Sequence, residues 1–396
     1  MGCFARERTI FCFLAPFSAY NPQDRLRFMK SGGMKAVGVF PGKRAVDLVS
    51  HAPPQILSQA QVKIRTLDVG ICGTDREICS FAYGTPPNGS DYLVLGHEAL
   101  GEVVEIGSGA KQFKVGDLVV PSVRRPCEHS DCSPCRADRQ DFCSTGDFTE
   151  RGIKMTHGYM TEYFVEEEKF LTPVPRELRD VAVLVEPLTV AEKALDQVWK
   201  VQERLPWGAN GEGKTAVVLG AGPVGILGAM ALLVRGFRTF VYSRSAAPNP
   251  KSELVNSIGA RYVSSETVPL EKFGIQTGPV DLVYEAVGVA SISFDLLRIL
   301  GLNGAFVFTG IPPHKPAIPI AADSLMRDMV LKNQVLIGTV NADAAAFATA
   351  IRDLGIFKQR WPDALRAVIT GRYRFEDYHE LLVGKNKGIK NVISVA

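Results

Sequence analysis

The feature that most constrains the fold is a glycine-rich turn that follows an apolar stretch. Val217-Val218-Leu219 leads directly into a Gly-x-Gly-x-x-Gly pattern. In such a turn the first glycine permits a tight bend, the second lets the backbone approach a pyrophosphate, and the third lets helix and strand pack closely. The helix N-terminus then offers N–H groups to phosphates. The pattern predicts a dinucleotide-binding βαβ unit whose phosphate contacts come from Gly220, Gly222, Pro223, Val224 and Gly225.

The same region contains 20 consecutive residues without a charge, from Thr215 to Val234. That length is also typical of a membrane span. The run is interrupted by glycines and by Pro223, which a strand, a tight turn and a buried helix explain better. We therefore predict no membrane span.

Composition narrows the class of protein. A chain of 396 residues suggests two or three domains. The formal charge is only +3 and no basic stripe with interleaved aromatic residues is present. Nucleic acid is therefore not an expected partner.

The distribution of strand and helix signals divides the chain into parts. Residues 34–185 carry mostly strand signals, such as Gln61-Val62-Lys63-Ile64-Arg65-Thr66-Leu67, and predict a barrel-like β domain. Residues 186–341 alternate strand and helix signals, which predicts a doubly wound parallel sheet and an α/β fold overall. We expect residues 342–396 to return to the first domain, and residues 1–33 to form a poorly ordered extension.

The end of the second strand of the βαβ unit indicates which dinucleotide is bound. An NAD site usually has an acidic residue there, for the ribose 2′-hydroxyl. This chain has Tyr242-Ser243-Arg244-Ser245 instead. Arg244 could pair with a 2′-phosphate, which a carboxylate would repel. We predict that NADP is preferred, with Ser243 and Arg244 in contact with it; alternatively, Arg244 is a solvated surface residue and NAD is also accepted.

Three separated runs contain residue types that bind zinc in open catalytic sites. They place Cys72 in Gly70-Ile71-Cys72-Gly73, His97 and Glu98 after an apolar strand, and Glu186 before Pro187. Thiolate, imidazole and carboxylate are the donors of such sites, where one position is left for water or substrate. Alternatively, His97 is a hydrogen-bonded core histidine and Cys72 a small buried apolar residue. Taken together, the runs favour a catalytic zinc.

Four of the eight cysteines fall within 17 residues, at Cys127, Cys132, Cys135 and Cys143. The spacing suits a structural zinc bound by four thiolates, and His129 is a possible substitute ligand. No convincing secretory signal precedes this local cluster, so a reduced compartment, the cytoplasm, is expected rather than a disulfide framework.

These motifs together resemble those of the zinc-dependent medium-chain dehydrogenases, most closely their glucose dehydrogenase branch. The resemblance runs from about residue 34 to the C-terminus. The segments on which the resemblance rests are Gly70-Ile71-Cys72-Gly73-Thr74-Asp75-Arg76-Glu77-Ile78, Leu93-Val94-Leu95-Gly96-His97-Glu98-Ala99, Arg124-Arg125, Asp141-Phe142-Cys143-Ser144-Thr145-Gly146, Glu186-Pro187-Leu188 and Val340-Asn341. It implies a GroES-like β-barrel catalytic domain joined to a Rossmann domain.

The resemblance also implies residue roles. Cys72, His97 and the side chain at 186 would bind the catalytic zinc, Glu98 would lie in or beside its coordination shell, and Thr74 would pass the hydroxyl proton toward solvent. Glu150 and Asn341 match positions that touch sugar hydroxyls. The cofactor site is predicted to include Ala286, Thr309 and Asn341 as well.

Two departures from the branch concern the substrate. Val123 and Val190 stand where archaeal sugar dehydrogenases have polar contacts to the sugar, so the substrate of this chain could be less hydroxylated than glucose. Three functions are therefore considered: a sugar 1-dehydrogenase that forms a lactone, a zinc dehydrogenase for another alcohol or polyol, and a non-catalytic NADPH-binding regulatory protein. The resemblance also suggests a homodimer or homotetramer.

Overall fold

The structure is a computed structural model that describes residues 32–206, 211–313, 315–385 and 387–395. The extension predicted for residues 1–33 lies outside the described residues except for its last two. The described part forms a β domain, a parallel α/β domain, and a C-terminal segment that joins both.

The first domain is built mainly of short strands with two short helices. These elements are β1 (Met34–Phe40), β2 (Ala45–His51), β3 (Gln61–Gly70), α1 (Gly73–Cys79), β4 (Leu93–Val94), β5 (Glu98–Ile106), β6 (Leu118–Pro121), β7 (Arg124–Arg125), α2 (Ser133–Arg136), β8 (Thr149–Arg151), β9 (Met155–Thr156), β10 (Tyr163–Glu167) and β11 (Leu171–Val174).

Strand β3 organises this domain because it pairs with β5 on one side and with β10 on the other, both antiparallel. Its N-terminal half alternates buried apolar residues, Val62 and Ile64, with more exposed polar ones. That alternation is typical of a strand with one face on a core. Its last residue, Gly70, pairs with Glu98, so the strand ends beside the predicted metal ligands.

The second domain alternates strands and helices. These elements are α3 (Val185–Gln202), β12 (Thr215–Leu219), α4 (Pro223–Val234), β13 (Arg238–Ser243), α5 (Pro250–Ser257), β14 (Arg261–Ser264), α6 (Leu270–Thr277), β15 (Val280–Glu285), α7 (Ala290–Leu296), β16 (Leu300–Phe308), α8 (Ala322–Leu331) and β17 (Val335–Gly338).

Its strands form one parallel sheet in the order β14-β13-β12-β15-β16-β17. The strand order reverses between β12 and β15, and ligands of such sheets bind in the crevice at this reversal. Every residue of β12 is buried, as expected of a central strand covered on both faces. The α/β fold class predicted from the sequence is confirmed.

The uncharged run from Thr215 to Val234 consists of β12, the glycine turn and α4. Helix α4 is almost wholly apolar because Ile226–Leu232 are all buried in the domain. No helix among the described residues is long and apolar enough to cross a membrane.

The C-terminal segment comprises α9 (Ala344–Arg360), α10 (Pro362–Val368), β18 (Ile369–Arg374), α11 (Tyr378–Leu382) and β19 (Lys390–Ser394). Strand β19 is antiparallel to β3, with Val392 opposite Gly70. This pairing extends the sheet of the first domain and brings the start of β19 to the predicted metal ligands.

The two domains share a hydrophobic core around α3. Leu67 and Leu100 of the first domain lie in one cluster of buried side chains with Leu188 of α3 and Ile226 of α4. The N-terminus of α3, where Glu186 lies, is therefore fixed against both domains.

Candidate metal centre and nucleotide site

A thiol, an imidazole and a carboxylate come together in the first domain. The ligand atoms of Cys72, His97 and Glu98 all lie within 4.8 Å of one another. The register of β3 against β5 produces this cluster, because Gly70 precedes Cys72 by two residues and lies opposite Glu98. A Cβ atom at Gly70 would lie 2.2 Å from Oε2 of Glu98, so a side chain there would displace this carboxylate. The three kinds of donor are those that zinc takes in catalytic sites.

Asp75, which is fully buried, faces both Cys72 and His97. Its Oδ2 accepts a hydrogen bond from the backbone N–H of Cys72 at 2.8 Å, and its Oδ1 lies 3.4 Å from Nδ1 of His97. That second distance is long for a hydrogen bond, and neither of its two atoms has another partner in the described structure. The arrangement favours a proton on Nδ1, which leaves Nε2 as the nitrogen available to a metal.

The charge of this cluster is reflected in the pKa of His97. Burial lowers that pKa, but the Asp75 carboxylate and Cys72 outweigh burial, so the pKa of His97 lies well above its ordinary value. A buried imidazole surrounded by anionic groups is a favourable place for a cation. The residues present therefore fit a zinc ion.

The negative charge of Glu98 is paired with the positive charge of Lys390, a residue that was not predicted from the sequence. Lys390, at the start of β19, donates from Nζ to both carboxylate oxygens of Glu98, at 2.7 and 2.6 Å, and to the carbonyl of Ile71 at 3.1 Å. Both side chains are 1% exposed. Glu98 is thus held as half of a buried ion pair beside Cys72 and His97.

Glu186 and Thr74 lie near the cluster without belonging to its three donors. Glu186 as a whole residue is partly buried, whereas its carboxyl group is enclosed by protein. Burial raises the pKa of Glu186 to about 7, with His97 and Glu98 among its charged neighbours. The hydroxyl of Thr74 lies 3.8 Å from Sγ of Cys72. The zinc-binding role of Glu186 stays a prediction.

The four clustered cysteines also converge. The sulfur atoms of Cys127, Cys132, Cys135 and Cys143 all lie within 4.8 Å of one another, and none of these cysteines is in a disulfide. A hydrogen bond with the Ser144 hydroxyl is the main cause that lowers the pKa of Cys132 to about 5. Four thiols at this separation fit the closed tetrahedral site of a structural zinc.

His129 is not a member of this cluster. Its Nε2 lies 2.6 Å from Oδ2 of Asp147, and about half of its side chain is exposed. Its pairing with Asp147 raises the pKa of His129. The alternative in which His129 replaces a cysteine is therefore not supported by its position.

The glycine turn has the geometry of a phosphate site. A Cβ atom at Gly225 would lie 2.1 Å from the carbonyl oxygen of Gly220, whereas one at Gly222 would point into open space. Pro223 is the first residue of α4 and Gly222 is its N-cap, so the helix N-terminus opens onto that space. Val224 is partly buried beside them. The space is the cradle that a pyrophosphate would fill.

Arg244 lies just past the end of β13 with its side chain 88% exposed. Its nearest acidic group is Glu266, with 4.0 Å between Nε and Oε1. Ser243 is the last residue of β13 and is partly buried. The guanidinium is therefore accessible to a ligand, as pairing with a 2′-phosphate requires.

Ala286 and Thr309 follow β15 and β16, on the other side of the strand reversal. The N–H of Ala286 donates to the carbonyl of Leu219 at 3.0 Å, which ties it to the end of β12. The hydroxyl of Thr309 donates to the carbonyl of Glu285 at 2.7 Å. Both residues thus lie at the carboxyl edge of the sheet, where a dinucleotide would bind.

The residues predicted to contact substrate are joined across the two domains. Nδ2 of Asn341 donates to Oε1 of Glu150 at 2.9 Å, and Nε of Arg124 donates to the same oxygen at 3.0 Å. Val123 is buried in the core of the first domain, and Val190 lies partly exposed on α3. Glu150 and Asn341 therefore form one polar group across the two domains, whereas the valine side chains at positions 123 and 190 offer no hydrogen bond.

Asp75 and Lys390 belong to the metal centre but were not predicted from the sequence. Asp75 left a local signal, since an acidic residue three positions after Cys72 has the spacing of a capping box at the start of α1. Lys390 left none, because it is 292 residues from its partner Glu98.

Two models of known protein families match the chain. The model described as "Glucose dehydrogenase C-terminus" matches residues 179–395, and the model described as "Alcohol dehydrogenase GroES-like domain" matches residues 58–176. The first match alone covers more than half of the 396 residues. The chain belongs to the zinc-dependent medium-chain dehydrogenases, in their glucose dehydrogenase branch.

Two relatives are similar in sequence over nearly the whole chain. Glucose 1-dehydrogenase of Methanocella arvoryzae is 36% identical over 366 residues, which are 91% of this chain and 99% of that protein. Glucose 1-dehydrogenase 1 of Caldivirga maquilingensis is 39% identical over 368 residues, with the same coverage of each chain.

Solved structures show the same architecture. Glucose dehydrogenase of Haloferax mediterranei in complex with NADP, Zn and gluconolactone is 31% identical, with a TM-score of 0.82 over 92% of this chain and 99% of that one. Galactitol-1-phosphate dehydrogenase of Escherichia coli is 21% identical, with a TM-score of 0.75 over 91% of this chain and 100% of that one, and it shares the fold.

Proposed function

We propose that this protein is a zinc-dependent glucose dehydrogenase that oxidises the C1 hydroxyl of glucose or a related aldose to a lactone and reduces NAD(P). The observation that carries the proposal is the convergence of Cys72, His97 and Glu98 within 4.8 Å. The relatives that are 36–39% identical and named glucose 1-dehydrogenase support the sugar as the substrate class.

The residues of the metal centre would each have a defined task in this reaction. When bound, zinc would polarise the sugar hydroxyl and the nicotinamide would accept the hydride. Cys72, His97 and Glu186 would hold the metal, and Asp75 orients the imidazole. Thr74 would carry the hydroxyl proton toward solvent, while Lys390 holds the Glu98 carboxylate in place beside the metal site.

The pair formed by Glu150 and Asn341 would bind the sugar. Its shared oxygen already accepts from Arg124, so the carboxylate and the amide are held in one orientation before substrate arrives. Fixed polar groups of this kind favour a substrate that carries the matching hydroxyl. They disfavour an analogue that lacks it, because the polar groups of the site are then left without a partner.

NADP is the proposed cofactor, with NAD as a weaker alternative. The support is the exposed Arg244 guanidinium at the end of β13, together with the NADP named in the Haloferax mediterranei complex. Gly220, Gly222 and Gly225 would take the pyrophosphate, and Ala286, Thr309 and Asn341 would lie along the nicotinamide half.

A second candidate is a zinc-dependent dehydrogenase of a less hydroxylated alcohol or polyol. Val123 and Val190 favour it, because a sugar hydroxyl left without a partner costs about 1–3 kcal/mol. A substrate panel separates the candidates: kcat/KM of the zinc-loaded protein is measured with NADP and NAD over aldoses, deoxy-aldoses, polyols and simple alcohols. The first candidate predicts the highest value for an aldose. A higher value for a simple alcohol would replace it by the second.

We further propose that the chain acts in the cytoplasm as a homodimer or homotetramer. The unpaired thiols of the cysteine cluster support a reducing compartment.

The proposed assembly is supported by helix α8, which has no fully buried residue and exposes Met326 (65%) and Val330 (70%). Asp323 and Arg327 lie one turn apart on this helix, so two copies packed antiparallel would pair their opposite charges. Light scattering of the purified protein tests this, since a monomer would contradict it.

A further inference from the structure

One buried carboxylate beside the nucleotide site has no task in the reaction described above. Glu285 is the last residue of β15 and is 1% exposed. Its Oε1 accepts the backbone N–H groups of Val287 at 2.8 Å and Gly288 at 2.7 Å, and its Oε2 accepts the N–H of Gly310 at 3.0 Å. An ionised carboxylate only accepts hydrogen bonds, so three backbone donors suit it.

These donors belong to two separate loops, residues 286–289 after β15 and residues 309–311 after β16. At their glycines the two loops approach each other closely, backbone against backbone. A Cβ atom at Gly310 would lie 2.1 Å from the backbone nitrogen of Gly288, and one at Gly288 would lie 2.7 Å from the carbonyl oxygen of Ile311. Gly288 also has φ +63°, which favours glycine. We call this close approach of the two loops the loop crossing. It is fixed by Glu285 and by the two glycines.

The crossing lies at the strand reversal of the sheet. A Cβ atom at Gly220, the first glycine of the nucleotide turn, would lie 3.4 Å from the carbonyl oxygen of Ala286. Arg244 is on the opposite side of the reversal, after β13. A dinucleotide that spans the crevice with its 2′-phosphate at Arg244 would place its nicotinamide half along the crossed loops. Val287 and Ile311 expose 44% and 66% of their surface there, which is apolar area that a ring could cover.

We propose that Glu285 is a positioning residue for the cofactor: it holds the two loops together and so fixes the wall that the nicotinamide half contacts. The inference rests on the proposed function, because it takes the crevice as the NADP site. Glu285 itself touches neither cofactor nor substrate. It acts through the backbone of Val287, Gly288 and Gly310.

The decisive test is Glu285→Gln. Glutamine keeps the size of the side chain but presents an NH₂ group to at least one of the three N–H donors, which separates the loops. The dissociation constant for NADPH, measured by its fluorescence well below the melting temperature, should rise about tenfold or more, the equivalent of roughly one hydrogen bond to a charged group. Bound zinc and KM for the sugar at saturating NADP should stay unchanged.

Asp281→Asn is the matched control. Asp281 lies at the other end of β15 and accepts the backbone N–H of Thr215 at 2.8 Å, far from the loops along the strand. Asparagine keeps one acceptor oxygen for this single N–H group, so we expect the variant to keep its affinity for NADPH. Equal affinities of wild type, Glu285→Gln and Asp281→Asn would overturn the inference, and so would an equal loss of affinity in both variants.

Two further measurements keep the test decisive. If Glu285→Gln does not fold, Gly310→Ala disturbs the same crossing from the other loop and should give the same loss of NADPH affinity. In the wild type, the amides of Gly288 and Gly310 should exchange slowly with solvent, and fast exchange would contradict the inference. A wild type that binds no NADPH would instead refute the proposed function.

Discussion

At the scale of single residues, Lys390 sets the charge balance of the metal centre. It is buried with Glu98 and donates to both oxygens of that carboxylate. A buried ion pair is costly to break, because the remaining charge is left without a partner. Lys390 therefore connects the last strand of the chain with the ligands of the first domain.

The variant Lys390→Met should lower the free energy of unfolding by about 3–5 kcal/mol, since it leaves Glu98 buried and unpaired. Adding Glu98→Gln should recover part of that loss. Denaturant unfolding measures both. Lys200→Met is the control, because the pair of Lys200 with Asp196 is exposed and should contribute about 1 kcal/mol or less. A cost of Lys390→Met as small as that of the control would show that the pair is not essential.

The second prediction at this scale concerns Arg244. Replacement by alanine should raise KM for NADP by about tenfold and leave KM for NAD nearly unchanged, because only NADP carries a 2′-phosphate. Arg298→Ala serves as the control, since Arg298 is an exposed arginine of the same domain, paired with Asp295. Equal changes for the two cofactors would mean that Arg244 does not contact the phosphate.

At the scale of elements, the cysteine lobe depends on its metal more than on packing. The buried cluster of this lobe consists of the cysteines themselves. Helix α2 within it has only four residues, too few to be stable alone. We therefore expect the segment from Cys127 to Cys143 to hold its shape through thiolate–zinc bonds.

The variant Cys135→Ser should release one zinc ion per chain and make the lobe sensitive to protease, while the dinucleotide affinity of the second domain is retained. Metal analysis and limited proteolysis measure these effects. Cys79→Ser is the control, because Cys79 is a buried free cysteine outside the cluster. Retention of all bound zinc in Cys135→Ser would exclude a structural site at the four cysteines.

Elements encoded by a short run of residues could be predicted from the sequence. The glycine turn and the cysteine spacing each specify their geometry within 17 residues or fewer, and the alternation of strands and helices specifies the parallel sheet. The partners of the site residues could not be predicted, because strand register decides them. Lys390 reaches Glu98 only through the pairing of β19 with β3, and Asn341 reaches Glu150 across 191 residues.

At the scale of the whole molecule, three helical regions meet at a buried charge cluster. Arg235, after α4, donates to Glu192 of α3 at 2.6 Å and to Asp353 of α9 at 2.8 Å. Arg352 also donates to Asp353, at 3.0 Å, while Oε1 of Glu192 has no partner in the described structure. Burial, aided by Asp353 and opposed by Arg235, raises the pKa of Glu192 to about 7.

This raised pKa predicts a pH dependence of stability. The folded state binds the proton of Glu192 more tightly than the unfolded chain, whose pKa is about 4.5. The stabilisation is therefore complete below about pH 4.5 and is lost as the pH rises through 7. Relative to Glu192→Gln, the wild type should lose on the order of 1–3 kcal/mol between about pH 5.5 and pH 8.5.

Thermal unfolding of both proteins across this pH range measures the effect. Asp196→Asn, which removes an exposed acid of the same helix, should follow the wild type. If stability changed with pH in the same way in the wild type and in Glu192→Gln, the raised pKa of Glu192 would be contradicted.

The proposed oxidation requires a zinc ion at Cys72, His97 and Glu98, whose ligand atoms lie within 4.8 Å of one another. The most direct measurement is the turnover of glucose and NADP by protein stripped with a chelator, as zinc is restored, in the wild type and in Cys72→Ser. The wild type should lose turnover when stripped and regain it with zinc, whereas Cys72→Ser should stay inactive yet bind NADPH as the wild type does. Full turnover by wild-type protein from which all metal has been removed would contradict this requirement for zinc.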